Sequence, residues 1–400
     1  MLSKHTINTC FYKYFKLMKS QLEEKFAEQY QKNADAVYFT PGRVNLIGEH
    51  IDYNGGLVMP CAITLGTWLV ISPNNDSKFR FKSLNFSEQY EVESNVLHQK
   101  NGSLWANYPI GIINEFIKDG KEITGLDFLY FGNIPIGSGL SSSASIEIAT
   151  AFALNDFFNL GYDNLDLVKI AKRVENDFIG LNSGIMDQFA VAYGEKDKAI
   201  VLDCETLKYK IVDVDLGKYV LAIINTKKPR ELADSKYNER VEECQTALKL
   251  LNQEIKLNNL CELNAEKFAL HNHVISDETI LNRATHVVKE NDRVHLAAKA
   301  LNAGALDEFG RLMYASHQSL RTLYEVSGKE LDAVVDFCTD YEHVIGARMT
   351  GAGFGGCAIA LLEKGFEEDF AKHLTDYYVA RIGYPAEIYV SEIGNGPTKL

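Results

Sequence analysis

A base, a fixed cation, a metal ligand and an anion cradle can be picked out of this chain by residue type and spacing. Asp187, in the stretch GIMDQFA, opens a short apolar helix with Ala190 and Val191 three and four positions on, so its carboxylate points to the packed side. A carboxylate so placed can accept a hydroxyl proton during phosphoryl transfer, work that calls for a fixed cation beside it. Arg43, in TPGRVNLIGEHIDYNGG, is the candidate cation. Glu175 falls on the apolar helix face of Leu167, Ile170, Ala171, Val174 and Phe178, where a carboxylate must be paired, protonated or metal-bound. Mg2+ suits it, because this ion takes one or two protein oxygens and completes its shell with water and phosphate. The hydroxyl of Ser143 is a candidate second ligand. Taken singly, Asp187 also reads as a helix cap and Glu175 as a partner of Arg173 or a nearby lysine.

The cradle is GSGLSSSASIEIATAFAL. Gly137 and Gly139 permit a tight turn and close backbone approach, and Ser141 to Ser145 offer caps to a helix on which Ile146, Ala149 and Ala153 recur. A helix N-terminus carries unpaired N–H groups and about half a positive charge, so it holds phosphate without a cationic side chain. The stretch lacks the lysine of a Walker A loop and the spacing of a dinucleotide fingerprint. A further cluster, TGAGFGG at 350–356, precedes a strand at Ala358–Leu362 and brings backbone close to a nucleotide.

The elements that must position these groups follow from periodicity. An amphipathic helix at about 17–30, with Leu22 and Phe26 four apart, leads into β-type stretches AVYFT, GLVMPCAITLGTWLVI and KFRFKSLNF, separated by turn chemistry. Helices dominate 140–191. Strand signals return in KAIVLDCETLKYKIVDVDL and YVLAIINT, a polar helix covers about 235–251, charged helices fill about 256–331, and GCAIALLE and AEIYVSEI are strands. The order fits an α+β protein of two lobes, 1–205 and 206–400.

Bulk properties narrow the partners. The 400 residues, 46% of them hydrophobic, suffice for folded cores, and the net charge of −13 argues against a nucleic-acid binder. Seven scattered cysteines without zinc spacing read as reduced thiols. No apolar run reaches the roughly 18 residues of a membrane span, and the start, MLSKHTINTCFYKYF, lacks a signal-peptide core. The expectation is a cytoplasmic protein with no membrane, nucleic-acid or obligate protein partner.

With these residues in view, PGRVNLIGEHIDYNGG resembles the signature of the galactokinase family. PIGSGLSSSAS and MTGAGFGGCAIAL are similar to the second and third motifs of the wider GHMP small-molecule kinases, and RVENDFIGLNSGIMDQFA and NTKKPRELADSKYNERVEEC are also galactokinase-like. The resemblance runs from about residue 36 to the C-terminus. It implies an N-terminal lobe of mixed sheet and helices, a ferredoxin-like C-terminal lobe and an active site between them, where the γ-phosphoryl group of ATP passes to the anomeric hydroxyl of α-D-galactose. Mapped by motif, Asp187 is the base and Arg43 its cation; Glu49, His50, Asp52, Gly184 and Tyr237 bind sugar. Gly137, Ser138, Gly139, Leu140, Ser141, Ser142 and Ser143 wrap the phosphates, Ser83 touches adenine, and Ser143 and Glu175 ligate Mg2+. Ile51 stands where the family often has threonine, and Ser183 where cysteine commonly precedes the glycine. The same motifs leave open a related kinase for N-acetylgalactosamine, homoserine or mevalonate, or a non-catalytic sugar and ATP sensor.

Overall fold

The computed structural model describes residues 4–400 apart from 95, 103, 136, 182, 183 and 229–232, and gives backbone alone at 4–13 and 233–235. Ser183 therefore lies outside the described residues. No helix among them is long and apolar enough to cross a membrane.

The chain opens with α1 (Lys4–Tyr30), longer than its expected amphipathic half because no glycine or proline interrupts it. Then come β1 (Ala36–Asn45), β2 (Leu57–Val58), β3 (Pro60–Pro73), β4 (Lys78–Ser83), β5 (Tyr90–Glu93), α2 (Asn107–Lys118) and β6 (Leu126–Gly132). The helical stretch that follows holds α3 (Ser142–Phe158), α4 (Asn164–Arg173) and α5 (Met186–Tyr193), before the hairpin β7 (Lys198–Asp203) and β8 (Tyr209–Asp213).

Both faces of the main sheet are buried, and the period of two in its strands shows how. Ala36, Tyr38, Leu69 and Ile71 face the principal core, whereas Val37, Phe39, Trp68 and Val70 face Leu22 and Phe26 of α1. On the inner side α3 packs against β1 and β3. Its small residues Ala144, Ala149, Ala151 and Ala153 are fully buried, which lets the helix lie close to the strands.

The second lobe begins at β9 (Tyr219–Asn225) and continues through α6 (Ala233–Leu251), α7 (Ala265–His271), α8 (Glu278–Asn302), α9 (Leu306–Ser319), α10 (Gly328–Asp340), β10 (Val344–Thr350), β11 (Cys357–Glu363), α11 (Glu367–Ile382) and β12 (Glu387–Ser391). Its antiparallel sheet has the order β12-β9-β11-β10, the ferredoxin-like arrangement. The sequence placed KAIVLD and YVLAIINT in one sheet signal, but the structure separates them. β7 and β8 join β2 in a small sheet of their own, and β9 opens the second lobe. The chain then returns to the first lobe as β13 (Thr398–Lys399), on the free edge of β1, giving the mixed order β13-β1-β3-β6-β4-β5.

Candidate active site

Arg43 is aimed by a defect in its own strand. Pro41 has no N–H for the ladder, and the β1–β3 register shifts between Pro41 and Arg43. Gly42, within that bulge, lies so near the glycine-rich loop that a Cβ would stand 2.7 Å from the Leu140 carbonyl oxygen. The Arg43 N–H donates to that oxygen at 3.2 Å, and its Nη1 donates to the Gly139 carbonyl at 2.6 Å. The other edge of the guanidinium holds Asp187: Nε and Nη2 reach Oδ1 at 2.9 and 2.8 Å. Ser141 Oγ donates to Asp187 Oδ2 at 2.5 Å. Arg43 is 5% exposed and Asp187 29%, so the carboxylate is gripped from behind and open in front.

The loop before α3 leaves its backbone more open than its serines suggested. Gly137 and Gly139 have φ of +70° and +76°, and Ser141, at the helix N-cap, shares the left-handed backbone without capping through its side chain. The expected serine caps are engaged elsewhere: Ser141 holds Asp187, and Ser145 donates to Thr40 O and Thr67 Oγ1 at 3.0 and 2.9 Å. The first turn therefore has no side-chain cap from Ser141, and N–H groups at such a helix start are suited to an anion. Ser138 adds a buried hydroxyl with no partner among the described residues. Ser142 is exposed and Ser143 half-buried on the first turn, while the Leu140 side chain lies in the core and contributes through its backbone. Ser83 ends β4 beside Tyr130 of β6, the strand that leads into the cradle, and its Oγ accepts from Asn85 N.

The loop after β1 carries the acidic residues of GEHID. Glu49 is buried; Oε2 accepts from Asn45 Nδ2 at 2.8 Å, and Oε1 accepts from the Gly351 N–H at 2.7 Å with Arg348 Nη1 at 3.5 Å. The third glycine cluster thus meets the first motif through this side chain. His50 Nε2 faces the Ala352 carbonyl at 3.1 Å, so that nitrogen carries the proton and Nδ1 accepts from Tyr53 O–H at 2.9 Å. Burial pulls His50 down to about 3, keeping it neutral. Asp52 packs against Gly184 so closely that a Cβ there would lie 2.0 Å from Oδ2. Burial pushes Asp52 up to about 6, and the charges of Asp187 and Glu49 act in the same direction. Tyr237, from α6, packs tilted against His50 and edge-on against Tyr53, with ring centroids 5.6 and 5.2 Å away, and its hydroxyl is raised by burial and by the charges of Asp52, Asp187 and Glu49. Ile51, the departure from the family pattern, is fully buried against Gly56.

Glu175 does not continue a regular helix. The segment Val174–Ile179 is a π-helical turn ended by Gly180 at φ +88°, and it holds the Glu175 side chain in the buried zone. Beside it lies Glu147 of α3, which the sequence reading passed over although a charge inside SASIEIATA is a legible signal. Glu147 is fully buried, accepts from Gln188 Nε2 at 3.4 Å and leaves Oε1 without a partner among the described residues. Burial and the Glu175 charge push its carboxyl well up. Two acidic side chains in one low-dielectric zone suit a divalent cation. No group of three or more His, Cys, Asp or Glu able to enclose a metal occurs among the described residues.

Comparison with known proteins decides the family. Residues 24–73 match the galactokinase galactose-binding signature, 107–195 the GHMP kinases N terminal domain and 297–380 the GHMP kinases C terminal. The chain is 52% identical to a galactokinase of Clostridium tetani, over 95% of this chain and 97% of that one. The chain belongs to the galactokinase family. A galactokinase of Enterococcus faecalis is 49% identical, over 96% of this chain and all of the relative. The crystal structure of Lactococcus lactis galactokinase complexed with galactose superposes with a TM-score of 0.91 at 47% identity, covering 96% of this chain and 100% of that one. Methanococcus jannaschii mevalonate kinase, at 22% identity and a TM-score of 0.68 over 90% of this chain and 98% of its own, shares the fold. As a galactokinase-family member the chain is an ATP-dependent sugar kinase with the two-domain GHMP architecture.

Proposed function

We propose that this chain transfers the γ-phosphoryl group of ATP to the anomeric hydroxyl of α-D-galactose, giving galactose 1-phosphate and ADP. The observation that carries the reading is the three-way junction of Arg43, Asp187 and the glycine-rich loop, which puts a proton acceptor, a cation and a phosphate cradle within hydrogen-bond reach of one another. In this reading Asp187 takes the proton of the anomeric hydroxyl as its oxygen bonds to the γ-phosphorus and the bond to the β-phosphate oxygen breaks. Arg43 holds Asp187 in place through its two bonds to Oδ1. Residues 137–143 receive the phosphates through backbone N–H groups and serine hydroxyls, with Ser83 near the adenine. Glu49 and Asp52 accept sugar hydroxyls, Gly184 leaves room for Asp52, Tyr237 closes the far side, and His50, its nitrogens engaged, orients the loop.

Ser143 and Glu175 are the residues that would hold Mg2+, which supplies charge neutralisation at the phosphates. The boundary between lobes is proposed between β8 and β9, a few residues beyond the 205 expected from the sequence, which falls inside the β7–β8 hairpin, and the setting is proposed to be cytoplasmic.

ADP release measured with galactose, N-acetylgalactosamine, homoserine and mevalonate tests the function. Galactose should exceed homoserine and mevalonate in kcat/KM by at least about 100-fold, as a site that hydrogen-bonds hydroxyls discriminates by leaving its polar groups unpaired. Preference for either of those acceptors would overturn the reading, as would tight binding of sugar and ATP with no ADP formed.

The Asp52 environment gives a pH signature. Its carboxyl is raised to about 6, so the charged acceptor is present above that pH and lost as pH falls through it. The KM for galactose should climb between pH 7 and pH 5, and Asp52→Asn should flatten that rise at a higher baseline. A KM independent of pH across this window in the unmodified chain would remove Asp52 from the sugar site.

A further inference from the structure

The sugar-facing loop is carried by the first lobe but held by the second. One face of α8 runs along it. Glu290 Oε1 accepts the Gly48 N–H at 3.0 Å, and His286 Nε2 donates to the Glu49 carbonyl at 3.2 Å. Asn291 Oδ1 accepts the Leu57 N–H at 2.9 Å, and Val294 packs where a Cβ on Gly48 would stand 2.9 Å from its Cγ2. Positions 286, 290, 291 and 294 share a helix face, and Gly48 meets them with φ of +98°, a conformation that favours glycine. None of the three matched family segments covers 286–294.

These contacts are built to be rigid. Glu290 and His286 are fully buried. Oε1 of Glu290 also accepts from Ser316 Oγ at 2.6 Å, and its Oε2 accepts from Arg293 Nε at 2.6 Å. Arg293, His286 and Arg348 hold the Glu290 carboxyl down at about 2 against the opposing effect of burial. The Glu49 carbonyl only accepts, so His286 Nε2 carries the proton and Nδ1 accepts from Ser319 Oγ at 2.8 Å. The loop amides therefore have one satisfied arrangement, and displacing them leaves buried donors or acceptors unpaired.

We propose that Glu290 and His286 are positioning residues for the acceptor sugar, fixing the backbone at Gly48 and Glu49 so that Glu49 and Asp52 present their carboxylates to the hydroxyls of a hexose. The inference rests on the proposed function and deepens it by locating the control of sugar affinity in the second lobe. It separates the two substrates, because neither side chain touches the cradle of residues 137–143.

The test compares Glu290→Ala, Glu290→Gln, Arg293→Gln and His286→Phe by KM for galactose, KM for ATP, kcat and melting temperature. Glu290→Ala should raise the galactose KM about tenfold or more with the ATP KM within about twofold. Glu290→Gln, which keeps an acceptor for Gly48, should restore most of that loss. Arg293→Gln, which takes one partner from the buried Glu290 carboxylate, should lower the melting temperature and raise the galactose KM by less than Glu290→Ala does, with the ATP KM within about twofold. If Glu290→Ala does not fold, His286→Phe carries the same comparison and should shift the galactose KM alone. A parallel rise of both KM values, or an unchanged galactose KM in a folded Glu290→Ala or His286→Phe, overturns the proposal. Absence of galactose-dependent ADP release in the unmodified chain defeats instead the function on which it rests.

Discussion

Asp187→Asn should bind galactose nearly as well as the unmodified chain and turn over at least about 100-fold more slowly, a loss of about 2.7 kcal/mol in transition-state stabilisation. The amide keeps the shape of the carboxylate, and its oxygen can still accept from Arg43 or Ser141, but it has no charge to stabilise an incoming proton. Both Arg43 donors converge on Oδ1 while Ser141 occupies Oδ2, so the asparagine fits with its oxygen toward the arginine and its nitrogen toward the serine. Galactose affinity by calorimetry and kcat by ADP release separate the two effects. Turnover within about tenfold of the unmodified chain would show that Asp187 orients the hydroxyl and does not take its proton.

Arg43→Met should be at least as damaging, because this side chain joins two parts of the site. Methionine fills much of the volume but gives up the bonds to Asp187 and to the Gly139 carbonyl. We expect kcat to fall by about 1000-fold and the KM for ATP to rise, since the glycine-rich loop loses its side-chain tie to β1 and keeps only the backbone bond from residue 43 to Leu140. The partly buried Asp187 would keep Ser141 as its described donor. Because the two residues act as a unit, the Arg43→Met, Asp187→Asn double variant should be scarcely slower than the worse single one. Losses that simply multiply would mean that the arginine and the aspartate contribute independently.

Much of this site could be read from the chain because its chemistry is local in sequence. Gly137 and Gly139 adopt the left-handed backbone that their residue type favours, and Asp187 lies in the first turn of the short helix its neighbours predict. The amphipathic pairing of Leu22 and Phe26 also located the helix that covers the outer sheet face. Other features were hidden for physical reasons. The serine run suggested caps, but a hydroxyl can serve a carboxylate 46 positions away as readily as its own helix, and Ser141 does so. The π-turn at Val174–Ile179 leaves no mark on apolar periodicity. The small sheet of β2, β7 and β8 depends on partners more than 140 residues apart, so periodicity found the strands without revealing their pairing. Least legible was α8: its polar positions read as a charged helix, and only the tertiary structure shows that His286, Glu290 and Asn291 serve a loop more than 230 residues earlier.

The edge strand contributed by Thr398–Lys399 bears on how the chain is made. During synthesis the first lobe emerges with β1 still open along one side, and that side is closed by residues that follow the whole of the second lobe in the chain. A nascent chain halted after β12 would carry its arginine-bearing strand as a bare edge, free to pair with another such chain. Premature termination in this short stretch should therefore show itself first as aggregation of newly made protein.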